Sequence, residues 1–239
     1  MAKKPPYGYN PNAAADDGRK PIGVWIAVGL LAVAAIVGIV VAATASEDKA
    51  AGEDTQPVTV SGTRLVPLPA SGEDPAVGKE IPTLEGKSFD GTPVTIEPGG
   101  GPQIIAFLAH WCPHCQAEVP QLVSRIADGT IPDSIRVTAV STAVDKIRGN
   151  YPPSSWLAAE DFPGPVLADD ENQAAGTAFG LGGFPYLVVT DAEGKVVKRT
   201  SGELAPEQYA ELVAAALGES GADSSVISSG ESSPAPAAP

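Results

Sequence analysis

The sequence predicts an α/β domain, a central mixed sheet flanked by helices with an N-terminal β-hairpin, preceded by one transmembrane helix. Three observations predict it. The run Ile104-Ile105-Ala106-Phe107-Leu108-Ala109 holds no polar residue and reads as a strand buried on both faces, as parallel strands are when helices cover the sheet. Beyond Cys115 the apolar residues Val119, Leu122, Val123 and Ile126 recur at helical spacing, so a helix follows that strand directly. Residues 22–43 run without a charge, about the ~20 residues that cross ~30 Å of hydrocarbon.

Taken in order, residues 1–21 are polar and rich in Pro, Asn and Ala, a tail with no expected fold. Lys and Arg precede the apolar run, whereas Glu47 and Asp48 follow it, so the positive-inside rule places the tail in the cytoplasm and the rest outside. Ala43-Thr44-Ala45 resembles a cleavage site, but the run is longer than the h-region of a signal peptide, which favours a retained signal-anchor. Residues 44–76 mix Glu, Asp, Gly, Thr and Pro and read as an extracytoplasmic linker, a coil of roughly 30 Å r.m.s. span.

The domain is expected over 77–218. Strands at 81–84 and 94–96 form the hairpin through Asp90-Gly91. The central strand and the helix after it are followed by a strand at 135–140, which makes a βαβ unit with the cysteines at the strand's C-terminal end. Next come a short helix at 154–160, a strand at 166–167, and a helix at 171–179 capped by Asp169 or Asp170. Strands at 186–190 and 196–200 pair across Asp191-Ala192-Glu193-Gly194. A last helix opens at Pro206, carries Tyr209, Leu212, Val213, Ala216 and Leu217 as its apolar stripe, and stops at Gly218. Residues 219–239 are dominated by Ser, Gly, Ala and Pro and read as a disordered tail.

Net charge is -14 and the few Lys and Arg residues are scattered, which argues against nucleic acid as a partner. Both cysteines lie in Cys112-Pro113-His114-Cys115, so no structural disulfide competes for them. Cys112 sits at the helix N-terminus, where backbone N–H groups and the helix dipole favour a thiolate. Pro113 loses nothing by lacking an N–H in the first turn. A cationic His114 would favour the reduced pair and make the disulfide a stronger oxidant, about 1.4 kcal/mol corresponding to roughly 30 mV. Cys115, one turn in, is expected to be the buried resolving thiol. The chain's two histidines, His110 and His114, crowd the same turn, which argues against a metal site; His110 reads as a strand-end residue.

Trp111-Cys112-Pro113-His114-Cys115-Gln116-Ala117-Glu118-Val119-Pro120 resembles the WCxxCxxExP pattern of membrane-anchored, thioredoxin-like thiol-disulfide oxidoreductases of the TlpA/ResA type. Gly182-Gly183-Phe184-Pro185-Tyr186 resembles that family's cis-proline loop, and the likeness spans 77–217, including a central βα insertion. The resemblance implies Cys112 as nucleophile, Cys115 as resolving cysteine, Glu118 as proton carrier and Pro185 as the cis-proline facing the disulfide. It implies that Trp111, Pro113, His114, Phe184 and Pro185 meet the substrate, with Trp111 shielding one side. No cofactor is expected beyond the redox-active Cys112–Cys115 disulfide. Protein thiols or disulfides of the cell envelope are the expected partners, with a membrane redox partner that resets the pair.

Two departures matter. Phe184 stands where Thr, Val or Ile is usual, and Ala106 stands where cytoplasmic thioredoxins carry a buried Asp. The frame resembles the reductase branch, whereas Pro113-His114 resembles the dipeptide of DsbA-type oxidases, so the direction of exchange stays open. A peroxiredoxin would want Pro and Thr where Ile105 and Ala109 stand. The alternative is non-enzymatic copper handling or an adaptor on the same fold; copper delivery wants a distant histidine, and none follows His114.

Overall fold

A computed structural model describes residues 53–219. The expected cytoplasmic tail, the anchor at 22–43, the start of the linker and residues 220–239 lie outside the described residues. Among the described residues no helix is long and apolar enough to cross a membrane. The elements are β1 (Thr59–Ser61), β2 (Thr83–Lys87), β3 (Pro93–Ile96), β4 (Gln103–Leu108), α1 (Pro113–Ala127), β5 (Arg136–Ser141), α2 (Pro153–Ala159), β6 (Val166–Ala168), α3 (Ala174–Ala178), β7 (Tyr186–Thr190), β8 (Val196–Ser201) and α4 (Pro206–Ala216). The sheet runs β1-β2-β6-β5-β4-β7-β8, with β3 paired to β2 off that path.

At the centre lies β4, parallel to β5 and antiparallel to β7, with every residue buried. Its alternation divides the core in two. Ile104, Ala106 and Leu108 pack with Cys115, Val119 and Leu122 of α1 and with Tyr209 and Leu212 of α4. Ile105 and Phe107 pack on the other face with Leu84, Ile96, Phe179 and Tyr186, where the Phe107 ring lies 5.2 Å from Phe179 and 5.6 Å from Tyr186 between centroids. The β4-α1-β5 crossover thus sets the cysteines at the C-terminal end of the middle strand.

The linker expectation fails from Glu53 onward. Thr59–Ser61 pair with Thr83–Glu85 as a sheet strand, and Leu65 and Ala76 are core residues. Leu65 N–H bonds the Ala178 carbonyl at 2.8 Å and Leu68 N–H the Gly180 carbonyl at 3.0 Å. This close approach needs Gly180, where a Cβ would stand 2.3 Å from the Val66 oxygen and where φ is +74°. The buried Arg199 guanidinium holds the segment: it donates to Asp74 (Nε to Oδ2, 2.8 Å) and to the carbonyls of Val66 at 2.8 Å and Phe179 at 3.1 Å. Polar composition misleads here because the polar groups bond inward.

Two boundaries also move. The first hairpin strand lies at Thr83–Lys87 rather than 81–84, because the turn sets register from its own end: Ser88 N–H bonds the Thr92 carbonyl at 2.8 Å, with Gly91 at φ +85°. Ile81 instead bonds the Gly194 carbonyl at 3.1 Å, beside the β7–β8 turn. Helix α3 starts at Ala174 rather than 171, since Asp170 Oδ1 takes the N–H groups of Asn172 and Ala174 and Gln173 is left-handed at φ +57°. Asp169, fully buried, caps the helix deeper in by accepting from Ala175 and Gly176 N–H and from the Thr142 hydroxyl.

Candidate active site

After β4 the chain turns sharply, Cys112 N–H donating to the Ala109 carbonyl at 3.0 Å. Cys112 is then the N-cap of α1, extended at φ -80° and ψ 120°, and its carbonyl accepts the first helical bond from Gln116 N–H at 3.1 Å. Pro113 occupies the first helical position, and the helix runs on past Pro120 to Ala127. The two sulfurs sit in different surroundings. Cys112 keeps 7% of its surface open and its Sγ lies 3.9 Å from the Phe184 carbonyl oxygen, whereas Cys115 has none exposed. Burial pushes the Cys115 thiol far above the usual range, and the neighbouring Cys112 and Glu118 add to that. The Ala109 N–H, 3.5 Å from its Sγ, opposes the shift.

Glu118 follows Cys115 by one turn on the same face of α1. It is not a solvated helix charge: its exposure is 0%. Oε2 accepts the Leu204 N–H at 2.9 Å and Oε1 accepts the Tyr209 hydroxyl. Burial raises its carboxyl above the ordinary value, opposed by the two hydrogen bonds, while Glu203 raises it further and Arg125 lowers it. A carboxyl raised toward neutrality, fixed at both oxygens beside a buried thiol, suits general acid–base work. Ala106 supplies no carboxylate from β4, so Glu118 is the group that α1 brings beside Cys115.

Trp111 closes one side of the opening. Its Nε1 donates to the Ala143 carbonyl at 2.7 Å, its ring meets the Phe184 edge at 5.9 Å between centroids, and the Arg148 guanidinium lies 4.1 Å over its face. Beyond it opens a cleft of about 540 Å³ bordered by Thr55, Lys146, Arg148 and Gln173. The Phe184–Pro185 peptide is cis, and the Pro185 carbonyl accepts Gly202 N–H at 2.9 Å. His114 faces solvent with Nδ1 3.5 Å from Glu203 Oε2, too long and too exposed to hold it firmly. His110 is fully buried: Nδ1 lies 2.8 Å from the Gly149 carbonyl and Nε2 accepts Asp145 N–H at 3.1 Å. That pattern assigns the Nδ1–H tautomer and makes His110 the latch of the loop beside Trp111.

The structure therefore gathers Trp111 and Phe184 beside Cys112, with Cys115, Pro185 and Glu118 buried behind them and His114 at the rim. Sequence reasoning missed Tyr209, Leu204, Arg125, Glu203, Ala143 and Arg148. Of these, Tyr209 alone leaves a signal in the sequence, a polar-tipped residue on the apolar stripe of the last helix, where packing alone would explain it.

Residues 76–217 match the Redoxin family. The thiol:disulfide interchange protein DsbE of Escherichia coli K12 is 27% identical over 154 residues, covering 60% of this chain and 78% of that protein. DsbE of Yersinia pestis is 28% identical over 148 residues, covering 56% and 72%. Among solved structures, a thioredoxin candidate from Neisseria meningitidis matches with a TM-score of 0.50 at 24% identity, over 60% of this chain and 93% of its own, a likeness of fold.

Proposed function

The chain belongs to the Redoxin family and is a thioredoxin-like thiol-disulfide oxidoreductase, and from that premise we propose that it exchanges disulfides with protein substrates through Cys112 and Cys115 outside the cytoplasm, tethered by one membrane anchor. The observation that carries the reading is the asymmetry of the two cysteines, Cys112 at a helix N-terminus with 7% of its surface exposed and Cys115 wholly enclosed behind it.

In the reducing direction the Cys112 thiolate attacks a client disulfide, forming a Cys112–client bond as the client's second sulfur leaves with the electron pair. Cys115 then passes its proton to Glu118 and attacks the Cys112 sulfur. The Cys112–Cys115 bond forms, the client thiolate departs and takes up a proton, and two electrons have moved to the client. The oxidising direction is the same sequence reversed. The Phe184 carbonyl beside Cys112 offers an extended client a backbone acceptor, with Trp111 and Phe184 as apolar walls. Pro113 and His114 form the rim that the client meets. No cofactor takes part beyond the Cys112–Cys115 disulfide.

The charge-free run at 22–43, with Lys and Arg before it, supports the anchor and an extracytoplasmic domain, where disulfides persist. Envelope proteins are then the clients, and a membrane redox partner resets the pair. The test equilibrates the full chain in detergent against glutathione and dithiothreitol buffers and titrates the Cys112–Cys115 bond. A reversible two-electron transition, lost in Cys112→Ser, is expected, and its potential relative to the compartment sets the direction. A chain whose pair never forms a disulfide across that range would overturn the reading.

A further inference from the structure

Glu118 is held by groups from the far end of the chain. Leu204 N–H occupies Oε2 at 2.9 Å, and the Tyr209 hydroxyl occupies Oε1. Tyr209 has no exposed surface, and packing between α1 and α4 would be served equally by phenylalanine. The hydroxyl is instead spent on the carboxyl beside the resolving cysteine. Across the tyrosine ring, the Arg125 guanidinium sits 4.4 Å from the centroid, with its Nε buried and unbonded. The groups facing Glu118 are thus Cys115 and Arg125 from α1, Tyr209 from α4, and Glu203 and the Leu204 N–H from the loop before α4.

Resting on the reading of Glu118 as proton carrier for Cys115, we propose that Tyr209 is a positioning residue of the exchange reaction, whose hydroxyl fixes Glu118 and stabilises its ionised form. A bonded carboxylate accepts the Cys115 proton in a set geometry, whereas burial without that donor would leave Glu118 protonated and unable to accept it. The sign follows from the hydrogen bond: it lowers the carboxyl against the upward push of burial. Removing it raises the pH at which Glu118 becomes a base.

The experiment follows single-turnover release of a fluorescent cysteine peptide from its mixed disulfide with Cys112 of the full chain, from pH 4 to 9. In the wild type, release rises along a limb that Glu118→Gln abolishes. Tyr209→Phe, which keeps the ring and its contact with Arg125, moves the limb upward by about one pH unit, the worth of one hydrogen bond to a charged group. Arg125→Gln, at a half-buried position, moves it in the same sense and serves if Tyr209→Phe folds poorly. A loss of packing would lower thermal stability and leave the limb in place. A limb abolished by Glu118→Gln yet unmoved in a folded Tyr209→Phe overturns the role of Tyr209, whatever Arg125→Gln does. A limb that survives Glu118→Gln overturns the reading of Glu118 beneath it.

Discussion

Replacing Asp74 with alanine tests whether the stretch before residue 77 belongs to the domain. Asp74 receives Nε and Nη2 of Arg199, whose side chain has no exposed surface, while Asp74 itself is 13% exposed. Asp74→Ala removes both charge-assisted bonds and leaves a cation in the core. Two such bonds at about 1.5–3 kcal/mol each would amount to about 3–6 kcal/mol. Arg199 retains the carbonyls of Val66 and Phe179 and the Tyr186 hydroxyl, and water can reach the gap at Asp74, so about 3 kcal/mol is expected. For a domain of this size that lowers Tm by roughly 6–12 °C.

The assay is urea unfolding followed by tryptophan fluorescence, on wild type, Asp74→Ala, Arg199→Met and the double variant. The double variant should lose less than the sum of the two singles, because the second change removes a charge the first left unpaired. The pH dependence has a definite sign. Arg199 holds the Asp74 carboxyl below its ordinary 3.8, so its contribution is present above that value and is lost as pH falls through the folded pKa. Wild type and Asp74→Ala therefore converge in acid. A loss under about 1 kcal/mol at pH 7, or strictly additive losses, would refute the anchoring of this segment by the ion pair.

The other expectations concern the site. In cells, Cys115→Ala accumulates covalent adducts with client proteins on non-reducing gels and Cys112→Ala accumulates none; the reverse would interchange the roles of the two sulfurs. Wild type should lose stability relative to Glu118→Gln as pH rises above about 4.5, because burial raises the folded carboxyl above that ordinary value and the group holds its proton longer folded than unfolded. A difference in urea midpoint between the two that does not change with pH would contradict it. His110→Ala leaves the Gly149 carbonyl and the Asp145 N–H without their partner and should cost about 1–3 kcal/mol, with faster hydrogen exchange at the Asp145 amide. Unchanged exchange there would remove the latch role.

What the sequence determined by itself was everything written locally. The unbroken apolar run of β4, the helical stripe of α1, the Asp90-Gly91 turn and the Pro206 start of α4 each depend on neighbours a few residues apart, and each stands where expected. So does the deeper burial of Cys115 than of Cys112, because one helical turn separates them. What tertiary structure decided involves partners far apart in the chain. Glu118 meets Leu204 and Tyr209 across separations of 86 and 91 residues, and Arg199 meets Asp74 across 125. A carboxylate on an amphipathic helix, or a polar stretch before a domain, carries no mark of such a partner. Polar segments look dispensable from composition because water and a distant donor satisfy the same hydrogen-bonding groups, and only packing selects between them. Hence Glu118, legible as a residue near the cysteines, became a fixed and buried acid only when α4 folded over it, and residues 53–76 became part of the domain only when Arg199 reached them.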